Sequence, residues 1–315
     1  MKTVIFLPQS DFTLSQQEQL SSTGEVVYLD GPIEHPLDEL IKIADGADVL
    51  GIDPDNFGGF ETTKEKVTQL LETLPDLKGL ALDTTSYGWI DLDYCKKRGI
   101  RVSNCPGWSR EAVSEHALAL LLCLAKNIIR LDRKTQKGEY KLQQGFELKG
   151  KTLGIIGTGN IGSRIAELAQ GIGMNVIGYN HSPKIVEGVE MKNSLDELLV
   201  ASDAVSINTT HKDENKNLIG VEQLLQMKNG CIVVNLADRE IVDETAMAEA
   251  IKSGKIFGYA YEGGDLENTP LASLENAIGL KPFAWYTKEA LVNLYQVWTD
   301  NIVSLGSGTP TNVIA

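Results

Sequence analysis

The sequence predicts an α/β protein built on doubly wound parallel sheets. Two observations carry that prediction. Short apolar runs at 3–7, 26–29, 49–52 and 77–82 alternate with helix-like stretches such as 37–44 and 63–73, and the alternation returns between about 151 and 280. Strands of that length separated by helices imply parallel pairing, with both sheet faces covered. Between the two series, Gly150-Lys-Thr-Leu-Gly-Ile-Ile-Gly-Thr-Gly-Asn-Ile-Gly162 reads as a buried strand, a glycine turn and the start of a helix.

Composition bounds the answer. A chain of 315 residues is long enough for two domains of ordinary size. A net charge of −14 repels a phosphate backbone, so no nucleic-acid partner is expected. Cys95, Cys105, Cys123 and Cys231 are scattered and form no C-x-x-C. That spacing argues against a disulfide framework or a metal site and fits a reducing, cytoplasmic setting. The apolar run that opens the chain is too short for a signal peptide and reads as a first strand. The longest apolar run, 117–125, is too short to span a bilayer, so no membrane partner is expected.

Taken in order, the first hundred residues give the four strands above and a fifth over 99–104, ending at Pro106-Gly107. One long helix is predicted over 109–136. Glu111 and Glu115 sit in its early turns, where carboxylates suit the helix dipole. Its centre is apolar on nearly every face, which suggests a helix buried all round, between domains and against a second subunit. Strands follow at 152–156, 174–179, 204–208, 231–235 and 256–261. Ser194 with Glu197 three positions on marks one helix start, and Asp243 caps another that Gly254 closes. A last helix runs from 287 to about 304.

The glycine turn carries the strongest functional signal. Gly157, Gly159 and Gly162 form G-x-G-x-x-G. The first allows a tight turn, the second lets backbone approach a pyrophosphate, and the third lets the helix pack on the strand. The free N–H groups at Asn160, Ile161 and Gly162 suit phosphate. The strand before the motif, the helix after it and the strand at 174–179 complete the βαβ context for a dinucleotide.

These residues, with Gly99-Ile-Arg-Val-Ser-Asn-Cys-Pro-Gly107, Val113-Ser-Glu-His-Ala-Leu-Ala-Leu120 and the tail Gly308-Thr-Pro-Thr-Asn-Val313, resemble the D-isomer-specific 2-hydroxyacid dehydrogenases. That group includes hydroxypyruvate and glyoxylate reductases. The resemblance implies two Rossmann-like or flavodoxin-like doubly wound domains with a cleft between them. It places a discontinuous outer domain at 1–103 plus 286–315 and a dinucleotide-binding domain at 104–285. It also implies a small-molecule substrate and a homodimer.

The resemblance fails where the family's chemistry resides. That chemistry needs an arginine for the substrate carboxylate, a histidine as proton donor and a glutamate to orient the histidine. The arginine motif, Asn-Thr-Ala-Arg-Gly, is here Asn235-Leu-Ala-Asp-Arg239. Asp238 takes the arginine position and Arg239 the glycine position. Either Arg239 swings into the cleft, or the anchor has reversed its charge and repels a 2-oxo-carboxylate; the second reading is preferred. The histidine stretch reads Lys281-Pro-Phe-Ala-Trp-Tyr-Thr287, and no histidine follows His211. The orienting glutamate matches Glu267. Ser86 replaces a glycine in the substrate loop 84–91. Tyr87, Trp89, Trp108, Trp285 and Tyr286 fall in segments that border the family's cleft, where packing is the simpler role for each. With Asp238, Glu262 and Glu267 they imply a cationic or amine-bearing ligand. Tyr87, Lys281 and Tyr286 are the remaining candidate proton donors.

On the cofactor side, Asn180 replaces the aspartate that bonds the adenosine ribose. Losing that carboxylate removes repulsion of a 2′-phosphate, which His181, Ser182 and Lys184 would bind, so NADP is favoured over NAD. Thr209 lies at the family's cofactor contact and Glu262 at the nicotinamide carboxamide contact. His211 reads as a loop residue and His116 as a packing residue. Three functions follow: a nicotinamide-dependent reductase acting on something other than a simple 2-oxo acid, such as an imine; a cofactor-binding protein without turnover, serving as a regulator or scaffold; and a non-redox enzyme using Asp238 and Glu267 as an acid–base pair.

Overall fold

The computed structural model describes residues 1–182, 184–210 and 212–315. The chain forms two compact units, Met1–Ser109 with Lys288–Ala315, and Arg110–Thr287. Both are α/β, and every strand pair within them is parallel.

The outer unit contains β1 (Lys2–Ile5), α1 (Leu14–Ser21), β2 (Glu25–Tyr28), α2 (Leu37–Ala44), β3 (Val49–Ile52), α3 (Phe60–Glu72), β4 (Gly79–Leu82), α4 (Leu92–Arg98) and β5 (Arg101–Ser103). Its sheet runs β2-β1-β3-β4-β5. One face packs under α2, α3 and α4, through Leu40, Val67, Leu70 and Cys95. The other packs under α1 and the last helix, Lys288–Ser307, through Leu20, Leu294, Trp298 and Ile302. Trp298 is fully buried and donates its indole N–H to the Ala81 carbonyl, 3.0 Å away. Gly51 and Gly79 make room for that helix: a Cβ at either would lie 3.0 Å from Trp298 or Leu305.

The second unit begins with α5 (Arg110–Ala125) and α6 (Ile128–Thr135). These replace the single long helix expected from the sequence. The break falls at Asn127, whose left-handed φ of 56° turns the chain, and the two helices meet at 61°. Nor is α5 buried all round: Glu115 and Ala119 are exposed, while Ala117, Leu121 and Leu124 point into the core. No single helix among the described residues is long and apolar enough to cross a membrane.

There follow β6 (Thr152–Ile156), α7 (Asn160–Gly171), β7 (Asn175–Tyr179), β8 (Glu190–Met191), α8 (Leu195–Ala201), β9 (Ala204–Ile207), α9 (Val221–Gln226), β10 (Cys231–Asn235), α10 (Glu244–Lys252), β11 (Ile256–Glu262) and β12 (Ala277–Leu280), and α11 (Lys288–Ser307) returns to the outer unit. The sheet runs β12-β11-β10-β9-β6-β7-β8. Helices α5 and α7 cover one face, and α8, α9 and α10 the other. The caps read from sequence are present: Ser194 accepts from the Glu197 N–H, and Asp243 from those of Thr245 and Ala246.

Truncating Trp298 tests how the outer unit is held. Trp298→Ala should cost about 3–5 kcal/mol in the denaturant transition that melts this unit. A loss below about 1 kcal/mol would contradict the packing described.

Candidate cofactor and substrate site

The strand order of the second unit places β6 beside β9, the point where the winding reverses. Open α/β sheets bind ligands in the crevice at that point, beyond the carboxyl ends of the strands. The glycine turn follows β6 there. Gly157 has φ +87°, and a Cβ on it would sit 2.8 Å from the Asn208 carbonyl oxygen at the end of β9. A Cβ on Gly162 would run into the Gly157 carbonyl oxygen. Gly159 has nothing within 4 Å of its Cβ position, which leaves space for a ligand. Gly159 also opens α7 without a side-chain cap, so the N–H groups at Asn160, Ile161 and Gly162 have no side-chain acceptor. These residues fit a dinucleotide: two glycines are demanded by the backbone and the third faces open space.

Two grooves flank the turn. One, of about 440 Å³, is lined by Gly157, Tyr179, Asn180, His181 and Thr209. The other, of about 460 Å³, is lined by Asn180, His181, Lys184 and Lys192. Asn180 is turned inward: its Oδ1 accepts the Thr158 N–H at 2.7 Å and its Nδ2 donates to Thr158 Oγ1 at 2.6 Å. Lys184 Nζ donates to the Thr158 carbonyl at 2.8 Å. His181 and Ser182 are exposed beside them. Lys192, which the sequence did not single out, adds a second ammonium to the groove and is paired with Glu190. Its signal was its place one residue past a short edge strand. His211 lies outside the described residues.

The substrate-side candidates are divided among several contacts. Asn235 organises the turn after β10, accepting from the Ala237 N–H and donating to the Asp238 carbonyl. Asp238 accepts the Glu240 N–H at 2.8 Å and caps the short 3-10 turn Arg239–Ile241. The Arg239 guanidinium makes a bidentate pair with Glu244, at 2.7 and 2.8 Å, and donates to the Asp265 carbonyl at 2.7 Å. It also lies over the Tyr261 ring, 5.7 Å from the centroid. The Glu244 carboxylate holds the guanidinium pKa above its ordinary range.

Glu262 ends β11. Its Oε1 accepts the Phe283 and Ala284 N–H groups, at 2.9 and 2.8 Å, and so folds the segment after β12 over the carboxyl. Burial raises its pKa, and the two amide donors oppose that rise. His116, on α5, approaches the same oxygen: Nε2 lies 3.6 Å from Glu262 Oε1, is buried, and has no hydrogen-bond partner among the described residues. Burial lowers the imidazole pKa. The sequence reading gave His116 only a packing role; its proximity to Glu262 depends on the register of α5 against β11. Glu267 is exposed, its carboxyl held below the ordinary range by backbone donors and Lys281. Lys281 Nζ donates to the Gly264 carbonyl. Phe283, Trp285 and Tyr286 are exposed, and the last two meet edge to face at 5.1 Å. In the outer unit, Tyr87 is exposed while Trp89 is core, its indole donating to the Ser86 carbonyl. Trp108 donates to Thr85 Oγ1.

The glycine turn at the β6/β9 switch point is matched by the profile of the D-isomer specific 2-hydroxyacid dehydrogenase NAD binding domain, which covers residues 118–282. The chain belongs to the D-isomer specific 2-hydroxyacid dehydrogenase family. A nicotinamide dinucleotide is therefore the cofactor class of the second unit, and a small molecule the substrate class of the family. The D-3-phosphoglycerate dehydrogenase of Archaeoglobus fulgidus is 34% identical over 251 residues, 77% of this chain and 48% of that protein. The glyoxylate reductase of Thermococcus litoralis is 32% identical over 262 residues, 78% of this chain and 79% of that one. The chain spans about half the length of the phosphoglycerate dehydrogenases it matches. Among solved structures, an acyclic imino acid reductase in complex with NADPH and D-Arg superposes over 100% of both chains, with a TM-score of 0.83 and 28% identity.

The Arg239–Glu244 pair can be weighed in solution. A double-mutant cycle on Arg239→Ala and Glu244→Ala should give a coupling of about 1–3 kcal/mol. A coupling near zero would mean that the guanidinium is free for a ligand.

Proposed function

We propose that this protein is a nicotinamide-dependent reductase that prefers NADPH and acts on an imine rather than a simple 2-oxo acid. The observation that carries the reading is the engagement of Arg239. The guanidinium nearest the family's carboxylate anchor is held in two directions by Glu244 and by a backbone carbonyl. The anchor position itself holds an aspartate that caps a turn. The carbonyl of a 2-oxo acid would then meet a carboxylate instead of a cation to polarise it, whereas the positive nitrogen of a protonated imine is attracted by one.

The chemistry of an imine suits such a site. The bound cofactor supplies hydride. A carbonyl accepting hydride becomes an alkoxide and needs a proton in the same step, which the family takes from histidine. A protonated imine already carries its proton and its positive charge. Hydride addition to its carbon gives a neutral amine with no further donor. Carboxylates such as Glu262 favour the charged form of that substrate, and the exposed Phe283, Trp285 and Tyr286 offer ring faces to a cation. A relative solved with NADPH and D-Arg is named for imino acid reduction, which supports the same direction.

The preference for NADPH rests on Asn180, Lys184, His181 and Lys192 around one groove. A 2′-phosphate there gains cations and meets no carboxylate at position 180.

Two measurements test this reading. By calorimetry, NADPH should bind more tightly than NADH, and Lys184→Ala should narrow the gap by about tenfold. Tighter NADH binding would overturn the preference. In an absorbance assay, NADPH oxidation with a 2-oxo acid should rise at least about tenfold when an amine is added to form the imine. Robust turnover without amine would overturn imine specificity, and cofactor binding without turnover on either would overturn the enzyme reading.

A further inference from the structure

The outer unit carries a second feature at the carboxyl end of its sheet. The order β2-β1-β3-β4-β5 reverses between β1 and β3, the kind of point beyond whose strand ends open α/β sheets take ligands. Asp53 follows β3 directly, and Asp83 follows β4. Because Ile52 pairs with Leu82 in register, the two aspartates are cross-strand neighbours. Asp55, exposed, stands at the rim. Asp53 accepts the Asp55 N–H at 2.7 Å, which fixes the turn that presents both.

Asp83 is the unusual member. It is 4% exposed, and its Oδ1 has no hydrogen-bond partner among the described residues. The groups that act on it are the carboxyl of Asp53, which shares a hydrogen bond with it, the carboxyl of Asp55 and its own backbone N–H, with no cation among them. Burial first, and then those carboxyls, hold its pKa well above the ordinary carboxylate range. The other titratable neighbour is Cys105, a buried thiol whose Sγ donates to the Leu82 carbonyl and whose pKa rises through burial and through Asp83. A buried acid without a cationic partner lowers stability unless it stays protonated or something positive arrives. No group of three His, Cys, Asp or Glu among the described residues is arranged to hold a metal ion. Residues 85–88 of the loop that follows Asp83 are exposed.

We propose that Asp53 and Asp83, with Asp55 at the rim, form a receptor for the guanidinium or ammonium end of a small organic molecule. A planar guanidinium matches paired carboxylates bidentately, and its arrival lets Asp83 release a proton. As a determinant of substrate class, the site rests on the reductase reading and selects imino acids with a cationic side chain. As a binding site in the outer unit it stands apart from turnover.

The test is calorimetry on the full chain without cofactor, using agmatine and arginine as probes and citrulline as the neutral control, in two buffers of different ionisation enthalpy. Agmatine and arginine should bind, releasing a proton over the pH range in which the free chain holds the Asp83 proton, and citrulline at least about tenfold more weakly. Asp83→Asn keeps the shape of the protonated acid, so it should fold normally, bind agmatine at least about tenfold more weakly and release no proton. Asp53→Asn should weaken binding similarly. Equal binding of citrulline and agmatine, unchanged affinity in D83N, or no binding of either cation at millimolar concentration would overturn the proposal. None of these outcomes depends on catalysis, so a failure here leaves the imine assay to be judged separately.

Stability against pH gives a second readout. A raised native pKa means the folded chain holds the Asp83 proton. The stability that proton confers is full below the unfolded value near 3.8 and is lost as pH rises through the raised native value. Wild type should therefore lose melting temperature relative to D83N as pH rises above about 4, and agmatine should reduce that difference. Parallel melting profiles for the two proteins would contradict the buried, protonated acid.

Discussion

The close approach of α7 to the turn after β6 is the constraint on which the second unit depends. Gly162 touches the Gly157 carbonyl with no room for a Cβ, and Gly157 in turn abuts the end of β9. That contact seats the helix deeply enough for Ile165, Ala166 and Ala169 to join the core beneath α5. It also directs the first N–H groups of α7 at the crevice between β6 and β9. One steric fact thus sets the packing of a helix layer and the position of the α7 N-terminus beside that crevice.

Beyond the strand ends of the second unit several charged groups are held by neighbours. The Arg239 guanidinium is held by Glu244 and the Asp265 carbonyl, and Asp238 caps a turn. A carboxyl, Glu262, is folded under two amides, with the His116 Nε2 3.6 Å from it. The outer unit carries its own pair of neighbouring carboxyls at its strand ends. Beside the second-unit carboxylates a cation gains more than an anion. The chemistry proposed here follows from that sign: a protonated imine is both a cation and an electrophile that needs no further proton.

Much of the fold was legible because it rests on local patterns. The strands were visible as apolar runs between turn residues, and the caps at Ser194 and Asp243 as short-range signals. The break at Asn127 was not, because the apolar periodicity continues across it and only a left-handed backbone at one residue records the 61° turn. The edge strand β8 was missed because it is two residues long and largely exposed, and β12 because only Ala277 and Ile278 of its four residues are buried. The site was read in proportion to how local it is. The glycine turn is defined by six consecutive residues. The approach of His116 to Glu262 and the neighbouring positions of Asp53 and Asp83 are set by register between separate segments, whereas the Arg239–Glu244 pair spans five residues and depends on how the 3-10 turn bends into α10. The aspartates did leave a trace, since each directly follows an apolar strand, where side chains face the ligand end of a parallel sheet.

The central claim concerns which bond receives hydride, and product analysis addresses it most directly. Deuterated NADPH would be incubated with the protein, a 2-oxo acid and an isotopically labelled amine, and the product identified by mass spectrometry. The account predicts an amine that carries both the deuterium and the labelled nitrogen. A deuterated 2-hydroxy acid as the main product would contradict it.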